Sequence, residues 1–257
     1  MAPDPATVVR QETRLVARLL TGAGLATLVA VPFLAVLLLV RSGWAPLERV
    51  DRGVADELNG WALRRPTAVA VLELLESVLS PWVFRLAVVV AAIGLWQVGS
   101  RRLATWAVTT MAVGGALGVG LKALVERARP TFADPVSAAG SYSFPSGHAL
   151  NSFLGVAVLL LIAVPMLSRR GRWLAWAGAG ALVLLTGFDR LALGVHFTSD
   201  VVAGWFVALA VVVGTTTSFG AWRHGPSPVT EGVDPAGSRG MSGSPPDAAS
   251  VEGRRHG

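Results

Sequence analysis

Long apolar runs separated by short charged loops set the pattern of this chain. A helix that crosses a bilayer needs roughly 20 apolar residues. Leu19–Val40, Leu103–Leu121, Ala149–Leu167 and Val201–Phe219 each supply such a run. Pro81–Val98 carries Arg85 near one end, where a guanidinium can snorkel to the interface. Trp173–Phe188 is shorter and can continue through "LALGV". The apolar residues come in uninterrupted blocks rather than as short strands, so the expected fold is all-α, a bundle of six transmembrane helices.

The segments between the blocks complete this architecture. Residues 41–66, "RSGWAPLERVDRGVADELNGWALRRP", mix charge with apolar positions and predict an amphipathic interfacial segment between the first two membrane helices. Residues 67–80 carry Glu73 and Glu76 among leucines and valines, as in a short helix lying at the interface. Residues 1–18 form a polar N-terminus expected in the cytoplasm, and 223–257, rich in Gly, Pro, Ser and charge, form a tail expected to be disordered. The membrane unit between them covers 19–222. Arg10, Arg14 and Arg18 before the first apolar run raise the possibility of a signal peptide. The run is longer than a usual signal core and no small-residue cleavage site follows, so it is expected to remain as an anchor.

Composition agrees with the pattern. Of 257 residues, 53% are hydrophobic and only 15% charged, too apolar for an ordinary soluble domain. No cysteine is present, which excludes a disulfide framework and a thiolate metal site. The net charge of +6 resides in short loops rather than in a stripe with interleaved aromatics, so no nucleic-acid partner is expected. "GGALGVGLK" lacks the spacing of a phosphate-binding loop, whereas Gly114 and Gly118, four apart, suit close packing of membrane helices.

Charged and polar residues at the ends of apolar runs are the informative ones, because burying them in hydrocarbon is costly. The first cluster is "KALVERARP". Lys122 and Arg129 are seven apart, which predicts one helix face, and Pro130 ends the segment. The second is "FPSGHALNSF". Pro145 can begin a helix whose first N–H groups, around Ser146 and Gly147, are free to bind an anion, with His148 at the edge of that site. The third is "DRLALGVHFTSD". If it opens the last helix, Asp200 lies four residues beyond His196, can reach one ring nitrogen and leaves the other free to attack. Each cluster alone has a plainer explanation: an interfacial basic cap, a capped helix start, a structural His–Asp pair. With six spans, however, all three clusters emerge on the same membrane face. That predicts one pocket holding three cations, a helix N-terminus, two histidines and a carboxylate.

These residues resemble the three signature motifs of the type 2 phosphatidic acid phosphatase (PAP2) superfamily: Lys-x6-Arg-Pro, Pro-Ser-Gly-His and Ser-Arg-x5-His-x3-Asp. The resemblance covers roughly residues 20–220 and implies a membrane phosphatase acting on a lipid phosphate or diphosphate such as phosphatidate, phosphatidylglycerol phosphate or undecaprenyl diphosphate. It implies that Lys122, Arg129 and Arg190, with the N–H groups of Ser146 and Gly147, bind the phosphate. His196 is then the nucleophile that forms a phosphohistidine, Asp200 orients it, and His148 protonates the leaving group and later activates water. Side chains neutralise the phosphate, so no metal or other cofactor is expected. Asp189 stands where the family has serine, and beside a phosphate dianion it must turn away or pair with a base such as Arg127.

The same resemblance extends to vanadium-dependent haloperoxidases, an alternative that the six spans and the short "TFADPVSAAGSYS" loop disfavour. A non-catalytic lipid-binding protein is the other alternative, and it has no need of both histidines. The expected partners are the bilayer and its lipid phosphate; the sequence names no protein partner. Loops opposite the motifs, "GSRR" and "SRRGR", are rich in arginine, as are the N-terminus and Arg223. Cytoplasmic loops carry that excess, so the expectation is a multi-pass protein of the cell membrane with its active site at the extracytoplasmic face. Arg41, Arg49, Arg52, Arg64 and Arg65 on the motif side count against it.

Overall fold

A computed structural model describes residues 27–220 of the chain and, before them, Leu20, Gly24 and Leu25. The polar segment 1–18, part of the start of the first apolar run, and residues 221–257, which include the whole tail 223–257, lie outside the described residues. The described residues fold as eight α-helices with no strand. They are α1 (Thr27–Arg41), α2 (Ala45–Leu63), α3 (Pro66–Val78), α4 (Pro81–Gln97), α5 (Arg101–Val125), α6 (Gly147–Ala163), α7 (Arg169–Ala192) and α8 (Thr198–Phe219).

The bend between α1 and α2, 89°, follows from three residues. Gly43 takes φ +62, a left-handed conformation that needs no Cβ, and Trp44 donates its N–H to the Leu39 carbonyl. Pro46 then sits within the first helical turn of α2, where its missing N–H has no intrahelical partner to lose. α2 buries Asp51, Ala55, Asn59 and Ala62, one face at helical spacing, as the amphipathic segment requires. The stretch 67–80 is more continuous with its neighbour than the sequence suggests. α3 and α4 form one apolar run, Pro66–Gln97, of 32 residues. Ser80 and Pro81 restart the helix at once, with Pro81 at the tolerated first position. At 1.5 Å per residue that run is about 48 Å long, so it exceeds the roughly 30 Å hydrocarbon core.

α6 and α8 are the inner helices: 50% and 44% of their most apolar windows are buried, against 17–22% for the runs containing α4, α5 and α7. The core joins Val88 of α4, Trp106 and Met111 of α5, Leu150, Leu154 and Val158 of α6, and Val207 and Val211 of α8. Leu86, Val90, Val119, Leu174 and Leu184 face outward. Among the described residues, five helical runs are long and apolar enough to cross a bilayer, six when α1 and α2 are taken as one bent span, and exposed leucines and valines fit a lipid-facing surface. The chain is a membrane protein with an all-α bundle.

Glycines set the closest approaches. A Cβ on Gly114 would lie 2.2 Å from Leu154 Cδ1, so α5 packs on α6 through that position. A Cβ on Gly204 would lie 2.9 Å from the Ser146 carbonyl oxygen, which brings α8 against the first turn of α6. This contact fixes the end of the bundle where the motifs meet.

Candidate active site

The C-terminal end of α5, the N-terminal end of α6 and the α7–α8 junction converge at one end of the bundle. α5 stops at Val125 because Glu126 turns left-handed, φ +51, and donates to the Lys122 carbonyl. Lys122 is therefore helical and Arg129 is not, which corrects the expectation that both project from one helix face. They reach the same pocket by different routes. Lys122 Cε lies 4.0 Å from where a Cβ on Gly147 would sit, and the ammonium donates to the Tyr142 carbonyl. Arg129 donates to the Ser141, Gly140 and Val195 carbonyls at 3.0, 3.1 and 2.5 Å. Both cations are thus held by backbone carbonyl oxygens, neutral acceptors that an anion can replace.

α6 begins at Gly147, two residues after Pro145. Ser146 is its N-cap, with the hydroxyl accepting from Ala149 N–H at 3.4 Å. The Ser146 N–H is not free as expected: it donates to the Asp200 carbonyl at 3.0 Å, because Gly204 allows α8 so close. The orphan donors of this helix start are therefore those of Gly147 and His148. His148 is half-buried in the first turn, within electrostatic reach of Lys122, Arg129, Arg190 and His196.

His196 precedes α8 rather than belonging to it; Phe197 is the N-cap. Its ring is 3% exposed, with Nδ1 3.6 Å from Asp200 Oδ2 and Nε2 3.3 Å from Arg129 Nη1. At 3.6 Å the first contact is Coulombic rather than a hydrogen bond. Asp200 Oδ2 is occupied by the Phe197 N–H at 2.8 Å and by the Ser143 hydroxyl, and Oδ1 accepts from Arg127 at 2.6 Å. Burial pushes the His196 imidazole below the ordinary histidine value, against the pull of Asp200 and in line with the Arg129 and Lys122 charges. Burial also lowers Arg129, while at Arg127 the Asp200 and Asp51 carboxylates outweigh burial and strengthen the charge.

Arg190 is buried and donates Nε to Asp189 Oδ2 at 2.9 Å, Nη2 to the same oxygen, and Nη1 to Glu76 at 2.5 Å. Asp189 thus pairs with its own neighbour and not with Arg127, whose guanidinium is already taken by Asp51 and Asp200. Asp51, Ser199, Ser143 and Glu76 carry no motif. The signal for Asp51 and Glu76 is an acid among small or apolar neighbours, Asp51 on the face of Ala55 and Ala62 and Glu76 among the leucines of α3. A cavity of about 320 Å³ opens beside Arg129 at the α1–α2 elbow, lined among others by Leu47, Arg52, Arg127 and Phe197. Among the described residues no group of three His, Asp or Glu side chains is placed to hold a metal ion. What the arrangement can do is bind an oxyanion between two helix-start N–H groups and three cations, beside a buried neutral imidazole.

Residues 103–223 match the family model of the PAP2 superfamily. The chain is 39% identical over 92 residues to phosphatidylglycerophosphatase B of Bacillus subtilis, covering 35% of this chain and 44% of that protein. It is 39% identical over 66 residues to an undecaprenyl-diphosphatase of Sulfolobus acidocaldarius, covering 26% and 28%. The chain therefore spans less than half the length of either relative. Its fold is similar to the crystal structure of a transmembrane PAP2 type phosphatidylglycerolphosphate phosphatase from Bacillus subtilis. That likeness has a TM-score of 0.61 and 25% identity, over 72% of this chain and 93% of the other.

Proposed function

From the match of residues 103–223 to the PAP2 superfamily model and the likeness to its relatives, we propose that the chain is a member of that family and hydrolyses a lipid phosphate or diphosphate through a phosphohistidine at His196. The observation that carries the proposal is the setting of the His196 ring: a carboxylate on its Nδ1 side at 3.6 Å and the Arg129 guanidinium 3.3 Å from Nε2. A nucleophilic nitrogen with a cation beside it is where a phosphoryl group has to sit.

Phosphoryl transfer asks the protein mainly for positioning and for charge on the equatorial oxygens. Lys122, Arg129 and Arg190 supply that charge, with the Gly147 and His148 N–H groups beneath. Ser146 supports the site as cap of α6 rather than through its own N–H. Nε2 attacks phosphorus, the bond to the leaving oxygen breaks, and His148 gives that oxygen a proton. The ring becomes positive while Nδ1 keeps its hydrogen, and Asp200 stabilises that charge. His148 then takes a proton from water, whose oxygen attacks phosphorus, and His196 leaves neutral. This scheme calls for no metal and no cofactor.

The relatives' names, a phosphatidylglycerophosphatase and an undecaprenyl-diphosphatase, support a phosphate carried on a lipid. The catalytic unit is taken as residues 19–222. We place the site at the extracytoplasmic face of the cell membrane, because Arg101, Arg102, Arg169, Arg170 and Arg172 lie at the opposite end of the bundle. The test is phosphate release by purified protein from phosphatidate, phosphatidylglycerol phosphate and undecaprenyl diphosphate, with His196→Ala as control. Turnover of at least one lipid, abolished in folded His196→Ala, is expected; unchanged turnover in that variant refutes the mechanism.

A further inference from the structure

The buried ion network that surrounds Asp200 has two members, Arg127 and Asp51, with no role yet in this chemistry. Arg127 lies between two carboxylates, with Nη1 2.6 Å from Asp200 Oδ1 and Nη2 2.8 Å from Asp51 Oδ2. Asp51, on α2, is 1% exposed and also accepts from the Ser199 N–H at 2.9 Å and its hydroxyl at 2.5 Å. Ser199 Oγ in turn lies 2.7 Å from Arg127 Nη1. The network spans the bend after α1 and the first turn of α8, so it ties the amphipathic helix to the nucleophile's carboxylate.

Arg127 alone opposes the proposed mechanism. A guanidinium on Asp200 cancels the charge that must stabilise the phosphorylated His196 ring. The pair sums to zero; adding Asp51 restores a net −1 around Asp200. A structural lock needs only matched charges, and a second buried carboxylate is an expensive addition to one. The surplus charge is what calls for an explanation.

We propose that Asp51 is a positioning residue of the reaction: by sharing Arg127, it leaves Asp200 negative towards His196. This rests on the phosphohistidine reading. The route runs from Asp51 through Arg127 to Asp200, and Asp51 touches neither substrate nor the reacting nitrogen. Asp200 does not depend on Arg127 for its position, because the Phe197 N–H and the Ser143 hydroxyl hold its other oxygen.

The charge argument makes an unusual demand on variants: a second substitution must repair the first. Asp51→Asn leaves Arg127 paired with Asp200 alone, and kcat is expected to fall roughly tenfold, the equivalent of about one pKa unit of lost stabilisation of the charged ring. KM should stay unchanged, and Asp51→Glu should recover activity. Asp51→Asn combined with Arg127→Gln returns Asp200 to a net −1, so the double variant should turn over faster than Asp51→Asn alone. The assay is steady-state hydrolysis of the fastest substrate in the lipid panel. Wild-type kcat in Asp51→Asn, or a double variant no faster than the single, overturns the proposal. If Asp51→Asn does not accumulate, Arg127→Gln and the double variant carry the test. Equal kcat supports action through Arg127, and a further loss overturns it. His196→Ala run alongside separates the two levels: activity there refutes the phosphohistidine reading itself, whereas its inactivity beside a fully active Asp51→Asn refutes only the role of Asp51.

Discussion

Replacing Asp189 with serine should tighten phosphate binding while weakening the fold. A guanidinium has five N–H donors. Arg190 spends two on Asp189 and one on Glu76, leaving two for a phosphate. Asp189→Ser returns the first two. One further hydrogen bond between charged groups contributes about 1.5–3 kcal/mol, or roughly 10- to 150-fold in affinity. The variant should therefore show a Ki for orthovanadate lower by about tenfold or more. Against this, removing one member of a buried pair costs about 3–5 kcal/mol when the other is left alone. Glu76 remains on Arg190, and Asp189 Oδ1 already lacks a partner, so the loss should lie at or below the low end of that range. Inhibition by vanadate and a thermal midpoint in the same detergent read both effects. A Ki that is unchanged or higher, in a variant that still folds, would refute the view that Asp189 restrains Arg190.

The pH profile tests the state of the nucleophile. His196 is faced by Asp200, Arg129 and Lys122, and burial holds its pKa below 6.5. The neutral His196 ring attacks while a protonated His148 donates, so kcat/KM, corrected for titration of the substrate, should not fall as pH drops from about 8 and should decline only below 6.5; an acid limb centred at or above 6.5 contradicts this. Gly204→Ala places a Cβ 2.9 Å from the Ser146 carbonyl and 3.2 Å from the Leu150 nitrogen, both backbone atoms that cannot rotate away. It should cost about 1–3 kcal/mol and reduce kcat by shifting the start of α6. Gly120→Ala, with nothing within 4 Å, should leave both unchanged, and equal behaviour of the two variants contradicts the packing argument.

How far the sequence reads ahead differs from residue to residue. Hydropathy alone locates α5 to α8 because each must cover a bilayer's width with apolar side chains. Counting spans then brings Lys122, His148, Arg190 and His196 to one end, since an odd or even number of crossings decides the face. Conformations of single residues escape that reasoning. Glu126 turns left-handed and takes Arg129 off the helix face, an effect with no signature in the spacing of Lys122 and Arg129. Long-range pairing escapes it too. Asp51 meets Arg127 and Ser199 across 76 and 148 positions of chain, and the Ser146 N–H is claimed by a carbonyl on another helix. Asp189 shows the limit from the other side: its need for a cation was legible, but geometry chose Arg190 over Arg127.

The most direct measurement is to trap the phosphorylated enzyme. Purified protein mixed with lipid substrate labelled in its phosphate, then quenched in alkali within a turnover, should retain label on the chain. The label should be stable to alkali, labile to acid, and located by mass spectrometry on His196, with none in His196→Ala. Label on another residue, or full turnover by wild-type protein with no labelled chain at any quench time, would contradict a phosphohistidine at His196.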